Sequence, residues 1–249
     1  MKSYISIYLN MAVILFWIFL TSCSTTSDGK MVVAFNNSRM HSLNIEAKTY
    51  CNEALRYSKQ KKTRDAIKAF TRSIEIDPSV AAYNGRSLEY YRAGRFDDAV
   101  TDANRAIMMN PKFPIPYVTR GNSFYRLKEY DRALKSYKKA IQLDPRNPEL
   151  YYNLGLAYYK NEQYDDAMKS YDKAVELDPR YYAAWYNRAC ICSEKKDLEG
   201  AIEGLERAIA AGFNDADRVK GEAALANVRG LPEFKELLNK MGNRGNKPQ

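Results

Sequence analysis

Histidine is almost missing from this sequence: its 249 residues hold one, His41. A Cys–His or Ser–His catalytic pair would have to use it, and nothing around it suggests one. Cysteine is scarce too, with Cys23, Cys51, Cys190 and Cys192. Cys190 and Cys192 stand two apart on a predicted helix, so they do not face each other. They make neither a metal site nor a disulfide framework. No glycine-rich phosphate loop and no nucleophile elbow occurs. Acidic residues are abundant but scattered over solvent-facing helix positions. The expectation is a protein that is not an enzyme and holds no cofactor and no metal.

What is present begins with charge. The formal net charge is +9, which points to nucleic acid, an anionic membrane or acidic partners. The N-terminus bears on that choice. Lys2 gives a weakly basic start, and Met11 to Leu20 is an unbroken apolar run. A stable span needs about 20 apolar residues. The uncharged stretch over residues 3–22 includes several polar ones, so residues 1–22 read as an export signal. Export would remove the chain from nucleic acid. The C-terminus, with Lys235, Lys240, Arg244 and Lys247, is locally basic; anionic lipid or an acidic polymer is one reading, a solvated face the other.

The strongest signal is a period. Pro78, Pro111, Pro145 and Pro179 are spaced 33, 34 and 34 residues apart, each after Asp or Asn. Aligned on them, the chain divides into five units: 47–79, 80–113, 114–147, 148–181 and 182–213. Each opens with an aromatic at one position: Tyr50, Tyr83, Tyr117, Tyr151 and Trp185. Each carries one alanine at the same place: Ala66, Ala99, Ala133, Ala167 and Ala201. A second small residue follows seven on, as Ser73, Ala106, Ala140, Ala174 and Ala208. Small residues let two helices approach closely, and the aromatics fill the gaps between units.

This pattern resembles the tetratricopeptide repeat, a 34-residue helix-turn-helix unit. Unit four matches it best, through Tyr151, Leu154, Gly155, Tyr158, Ala167, Tyr171, Ala174 and Pro179. The resemblance implies an all-α fold, a right-handed solenoid of five helix pairs. Departures occur. Arg86 and Ser87 stand at the Leu and Gly positions of unit two, and Arg120 and Arg188 also take the Leu position. Unit one is degenerate at Lys62-Thr63. Unit five ends in Ala211-Gly212-Phe213, with Gly212 as a helix stop.

Residues 23–46 lack a helical period and read as a flexible tether. Residues 214–241 read as a helical cap on the last unit, two helices broken near Gly230-Leu231-Pro232. Its apolar positions include Val219, Leu225, Val228, Leu231, Phe234, Leu237, Leu238 and Met241. The run Asn227 to Phe234 resembles the segment that often closes bacterial arrays of this kind. Residues 242–249 are expected to be disordered.

Leu20-Thr21-Ser22-Cys23 resembles the bacterial lipobox. That resemblance implies cleavage before Cys23, lipidation of its thiol and acylation of the new amino group. Two or more acyl chains give lasting attachment. The alternative is an uncleaved signal anchor. Ser24 after the cysteine favours the outer membrane, facing the periplasm, over the inner one.

The resemblance also implies a concave face lined by the first helices. Its groove positions are the second, fifth, ninth, twelfth and thirteenth of each unit. The central units then present Tyr91, Arg92, Tyr125, Arg126, Tyr159 and Lys160 as a Tyr–basic ladder. Asn122, Tyr152, Asn153, Leu156, Tyr186 and Asn187 complete the candidate partner-binding set. The partner so implied is another protein or a peptide, with acidic or carboxylate groups for the basic residues. The competing reading is scaffold, since Tyr-Lys is close to the repeat's consensus. The carboxylate clamp of chaperone-binding relatives is absent: Cys51, Asn84 or Val118 stands where its first Lys belongs. Eighteen of the 20 tyrosines lie between Tyr50 and Tyr186, so tyrosine belongs to the repeats.

The functional expectation is a lipid-anchored adaptor of the bacterial cell envelope. Alternatives are an assembly lipoprotein similar to pilotins or barrel-insertion accessories, and a non-catalytic subunit of an envelope enzyme complex. The partner, the envelope process and the oligomeric state are left open by these residues.

Overall fold

A computed structural model describes residues 30–245, with side chains described from Met40 to Met241. The expected export signal at 1–22, the lipidated Cys23 and the last four residues lie outside the described residues. The chain divides into residues 1–46 and 47–249. In the first part, the described residues are helical, and Met40, Leu43 and Ile45 are exposed.

All regular structure among the described residues is helical. Ten helices account for the five units: α1 (Lys30–Lys59), α2 (Thr63–Ile76), α3 (Val80–Arg92), α4 (Phe96–Met109), α5 (Ile115–Arg126), α6 (Tyr130–Leu143), α7 (Pro148–Lys160), α8 (Tyr164–Leu177), α9 (Tyr182–Glu194) and α10 (Leu198–Ala210). Odd-numbered helices are the first of each pair. After them come α11 (Ala216–Gly221), a 3₁₀ turn at Ala223–Leu225, and α12 (Pro232–Gly245). This is the all-α array of helix pairs that the resemblance implies, followed by a helical cap.

The repeat's small residues explain how the helices pair. Ala99 and Ala106 lie seven apart, two turns along α4, and therefore on one face. Both are fully buried, as are Ala133 and Ala140, Ala167 and Ala174, and Ala201 and Ala208. The opening aromatics are tied to the turn before them. Tyr117 Oη donates to the Pro111 carbonyl at 3.1 Å, Tyr151 Oη to Pro145 at 3.2 Å, and Trp185 Nε1 to Pro179 at 3.1 Å. The repeated proline thus orients the next unit through its own carbonyl.

Every first helix ends the same way. Lys61, Gly94, Lys128, Glu162 and Lys196 occupy the same position of the five units, and all have positive φ, from 58° to 76°. Only unit two places there the residue that adopts this conformation without a Cβ penalty. Gly212, read as a helix stop, has φ of 106° beyond α10.

Two segments differ from the sequence reading. The expected tether over 23–46 is overturned from Lys30 onward, where α1 begins. No proline or glycine stands between Met31 and Lys59, so nothing in the chain terminates the helix. The expected disorder over 242–249 is likewise overturned for 242–245, since α12 runs to Gly245. In the cap, the first helix stops at Gly221 and the backbone turns irregular well before Gly230.

The cap closes the last unit's core. Leu225 and Val228 are fully buried, and Val219, Phe234, Leu237 and Met241 are buried with them against Tyr186, Leu205 and Ile209. Phe213 packs on Tyr186 with ring centroids 4.8 Å apart and stacks on Tyr182 at 5.7 Å. Without this cover, unit five would present apolar side chains to water.

Candidate partner-binding face

The candidate residues come from the first helices of units two to five, α3, α5, α7 and α9. The structure shows which of them are committed to the scaffold. In the ladder, each tyrosine packs on the aromatic that opens its own unit's second helix. The centroid distances are 5.7 Å for Tyr91–Phe96, 5.7 Å for Tyr125–Tyr130 and 5.6 Å for Tyr159–Tyr164. These contacts hold the rings upright and leave each tyrosine half-buried.

The basic partners of the ladder behave differently from one another. Arg92 is committed: it donates to Ser58 Oγ at 2.8 Å and to Glu89 Oε1 at 2.5 Å. It is therefore a strut between units one and two, not a free cation. The guanidinium of Arg126 stands 4.8 Å from the centroid of the Phe96 ring, an exposed cation–π contact. Lys160 is exposed over the Tyr159 ring. Among the described residues, neither Arg126 nor Lys160 forms an ion pair.

The asparagines split as well. Asn122 Oδ1 accepts from Tyr137 Oη at 2.7 Å, within unit three. Asn187 Nδ2 donates to Tyr152 Oη at 3.3 Å and links units four and five. Asn153 is half-buried beside them. Tyr152 also packs on Tyr181, at 5.1 Å, and burial pushes its hydroxyl pKa up.

Tyr186 departs from the expected surface role. It is 2% exposed, its hydroxyl donates to Glu222 Oε2 at 3.2 Å, and Arg218 covers its ring at 4.8 Å. Unit five is the last unit, so the cap lies where a following unit would, and Tyr186 joins the core.

Leu156, Tyr159, Lys160 and Asn187 come together in a cleft of about 240 Å³. Cys190, Arg218 and Glu222 complete its lining. The sequence reading missed Arg218 and Glu222, which lie outside the 34-residue period and so carried no positional signal. Tyr159 Oη donates to Glu194 Oε1 at 3.0 Å across units; burial, aided by that carboxylate, pushes its pKa up. Burial raises the Cys190 thiol to about 12, so it is un-ionised and inert at neutral pH. Among the described residues, no group of three His, Cys, Asp or Glu side chains could hold a metal. None of the described helices is long and apolar enough to cross a membrane.

Comparison with known proteins agrees with this geometry. Models described as tetratricopeptide repeat match residues 51–114, 148–181 and 170–203, and one described as TPR repeat matches 121–162. Human serine/threonine-protein phosphatase 5 is 40% identical over 79 residues, 31% of this chain. The rat protein matches equally. The chain spans 15% of the length of these curated relatives. Among solved structures, pilF of Pseudomonas aeruginosa is similar with a TM-score of 0.68 at 17% identity, over 82% of this chain and 91% of that one. MamA of Desulfovibrio magneticus RS-1 gives 0.63 at 21%, over 71% and 98%. YrrB, described as a TPR protein with an unusual peptide-binding site, gives 0.61 at 19%, over 80% and 97%. At these identities the likeness establishes the fold. Over residues 51–114 and 121–203 the helix pairs of this chain match tetratricopeptide repeats.

Proposed function

We propose that this chain is a non-catalytic scaffold that grips a segment of another protein along the first-helix face of its repeats. The observation that carries the proposal is the pair Arg126 and Lys160. Both are exposed on that face, and neither is paired with a carboxylate among the described residues. A cation left unpaired beside half-buried tyrosines and a cleft is free to take a partner's acidic group, with tyrosine supplying contact area at low entropic cost. The preferred partner is a peptide segment carrying Asp or Glu. Nucleic acid is not the partner in this reading. The working face centres on Tyr125, Arg126, Asn153, Leu156, Tyr159 and Lys160, because Arg92, Asn122, Tyr152, Asn187 and Tyr186 are bonded within the array or to the cap.

The location belongs to the same proposal. The Leu20-Thr21-Ser22-Cys23 run supports lipidation at Cys23, and the lipid holds the array at a bacterial membrane, the outer one facing the periplasm. The protein then acts as an envelope adaptor.

Two measurements test this. Double substitution of Arg126 and Lys160 to Glu is expected to weaken, by tenfold or more, binding of a partner protein isolated by pull-down on the natural chain; unchanged affinity sinks the groove. A fatty-acid label in cells is expected on the natural protein and lost on Cys23→Ala. Retention of the label would remove the anchor from the reading.

A further inference from the structure

The unit-one end of the same face is chemically unlike its middle. A cleft of about 420 Å³ lies between α1 and α3. Its apolar lining includes Leu55, Phe70, Val80, Leu88 and Phe113. Leu55 is 47% exposed at its rim, and Phe70 at its base is 1% exposed. Its polar lining is Ser58, Asn84, Glu89 and Asn110.

Glu89 is 1% exposed, and its carboxylate is half used. Oε1 accepts from Ser58 Oγ at 2.7 Å and from Arg92 at 2.5 Å. Among the described residues, the buried Oε2 has no hydrogen-bond partner, and the same holds for Asn84 Oδ1. Both orphaned atoms are acceptors. The repeat does not require a carboxylate here. The corresponding position of the next three units holds Ser123, Ala157 and Ile191, all uncharged and all fully buried. Ser58 and Arg92 compensate Oε1 of this buried acid, and the buried Oε2 is the atom left without a donor. Arg92 and Ser58 fix the carboxylate in place, which leaves Oε2 preorganised for an incoming donor.

We infer that this cleft is a second subsite, which takes an aliphatic side chain of the partner together with an adjacent ammonium or guanidinium donor. The apolar lining takes the aliphatic group, and a charge-assisted hydrogen bond to Glu89 Oε2 takes the cation. This deepens the proposed function and rests on its reading of the first-helix face. It also gives the bound segment a polarity: its basic, apolar part lies at units one and two, and its acidic part at units three and four.

The test uses the full chain in neutral detergent and two fluorescein-labelled hexapeptides, one alternating leucine and lysine, the other leucine and glutamate. Fluorescence anisotropy is expected to show the leucine–lysine peptide binding the natural protein about tenfold tighter or better. Glu89→Gln keeps the shape but removes the charge, and is expected to abolish that preference. Leu55→Arg, at an exposed rim position, is expected to repel the same peptide while leaving the fold intact. Arg126→Glu with Lys160→Glu is expected to leave it bound, which separates this subsite from the acidic one. Equal binding of the two peptides by the natural protein overturns the inference, as does a folded Glu89→Gln protein that binds like the natural one. Should Glu89→Gln fail to fold, undiminished binding by Leu55→Arg overturns it instead.

Discussion

Tyr171 occupies the space in front of Gly155: a Cβ added to Gly155 would stand 2.5 Å from Tyr171 Cε1. Gly121 and Tyr137 repeat the relation one unit earlier, at 2.8 Å from Cδ1 and 2.7 Å from Cε1. Unit two has neither partner. Ser87 and Ala103 stand at the equivalent positions, and both are fully buried. The loss of the glycine thus coincides with the loss of the ring. Unit one keeps its ring, Phe70, and turns it toward the following unit, where a Cβ on Gly85 would lie 2.2 Å from Cζ. The sequence departure at Ser87 is therefore one half of a size exchange.

Gly155→Ala is expected to destabilise the array by about 1–3 kcal/mol, because Tyr171 is fully buried and cannot retreat into solvent. The midpoint of urea denaturation measures it. In a Tyr171→Ala background the same substitution should cost far less, since the ring it collides with is gone. Equal costs in both backgrounds would show that the ring is not the cause.

Arg86, at the usual Leu position of unit two, forms a two-pronged pair with Asp102: Nε to Oδ2 at 2.6 Å and Nη2 to Oδ1 at 3.0 Å. The Asp102 side chain is 2% exposed and that of Arg86 10%. Asp102→Ala should cost about 3–5 kcal/mol by stranding a buried guanidinium. Arg86→Leu with Asp102→Ser, the pair that unit four holds as Leu154 and Ser170, should restore most of that loss. Chemical denaturation of the single and double variants checks the pair.

The buried tyrosines set an alkaline limit. Burial raises Tyr181 from 10.0 to about 12, and burial also raises Tyr137, Tyr171 and Tyr186. Between the unfolded and folded values the native state holds more protons, so stability falls as pH rises. The contribution is complete below pH 10 and is lost through about 12 for Tyr181. Thermal melts followed by circular dichroism should show a Tm that is flat from pH 8 to about 9.5 and then drops. Tyr181→Phe should make that drop shallower.

Much of the fold is legible in the sequence. The positions of Tyr117, Tyr151 and Trp185 announced the units, because a 34-residue period repeats the same local environment. The cap's apolar positions, from Val219 to Met241, were legible for the same kind of reason, as a helical spacing with no other surface to cover. The extension of α1 back to Lys30 was not, because Asn36, Asn37 and Ser38 weaken the helical pattern without terminating the helix.

Site residues were harder to judge from the chain alone. The structure brings Leu156, Tyr159, Lys160 and Asn187 to one cleft, whereas position within the repeat gave Arg92 and Arg126 the same standing. Arg92 is held by Ser58, 34 residues away, and Glu89 accepts a hydrogen bond from the same neighbour. No local pattern reports such a contact.

The sequence by itself determined the helix pairs, their number and their stacking, because period, small residues and aromatics act at short range. The tertiary structure alone decided which side chains remain available. A donor or acceptor on the first-helix face is free or committed according to what the next unit, or the cap, places opposite it. That is why Arg126 stands open while Arg92 and Tyr186 do not.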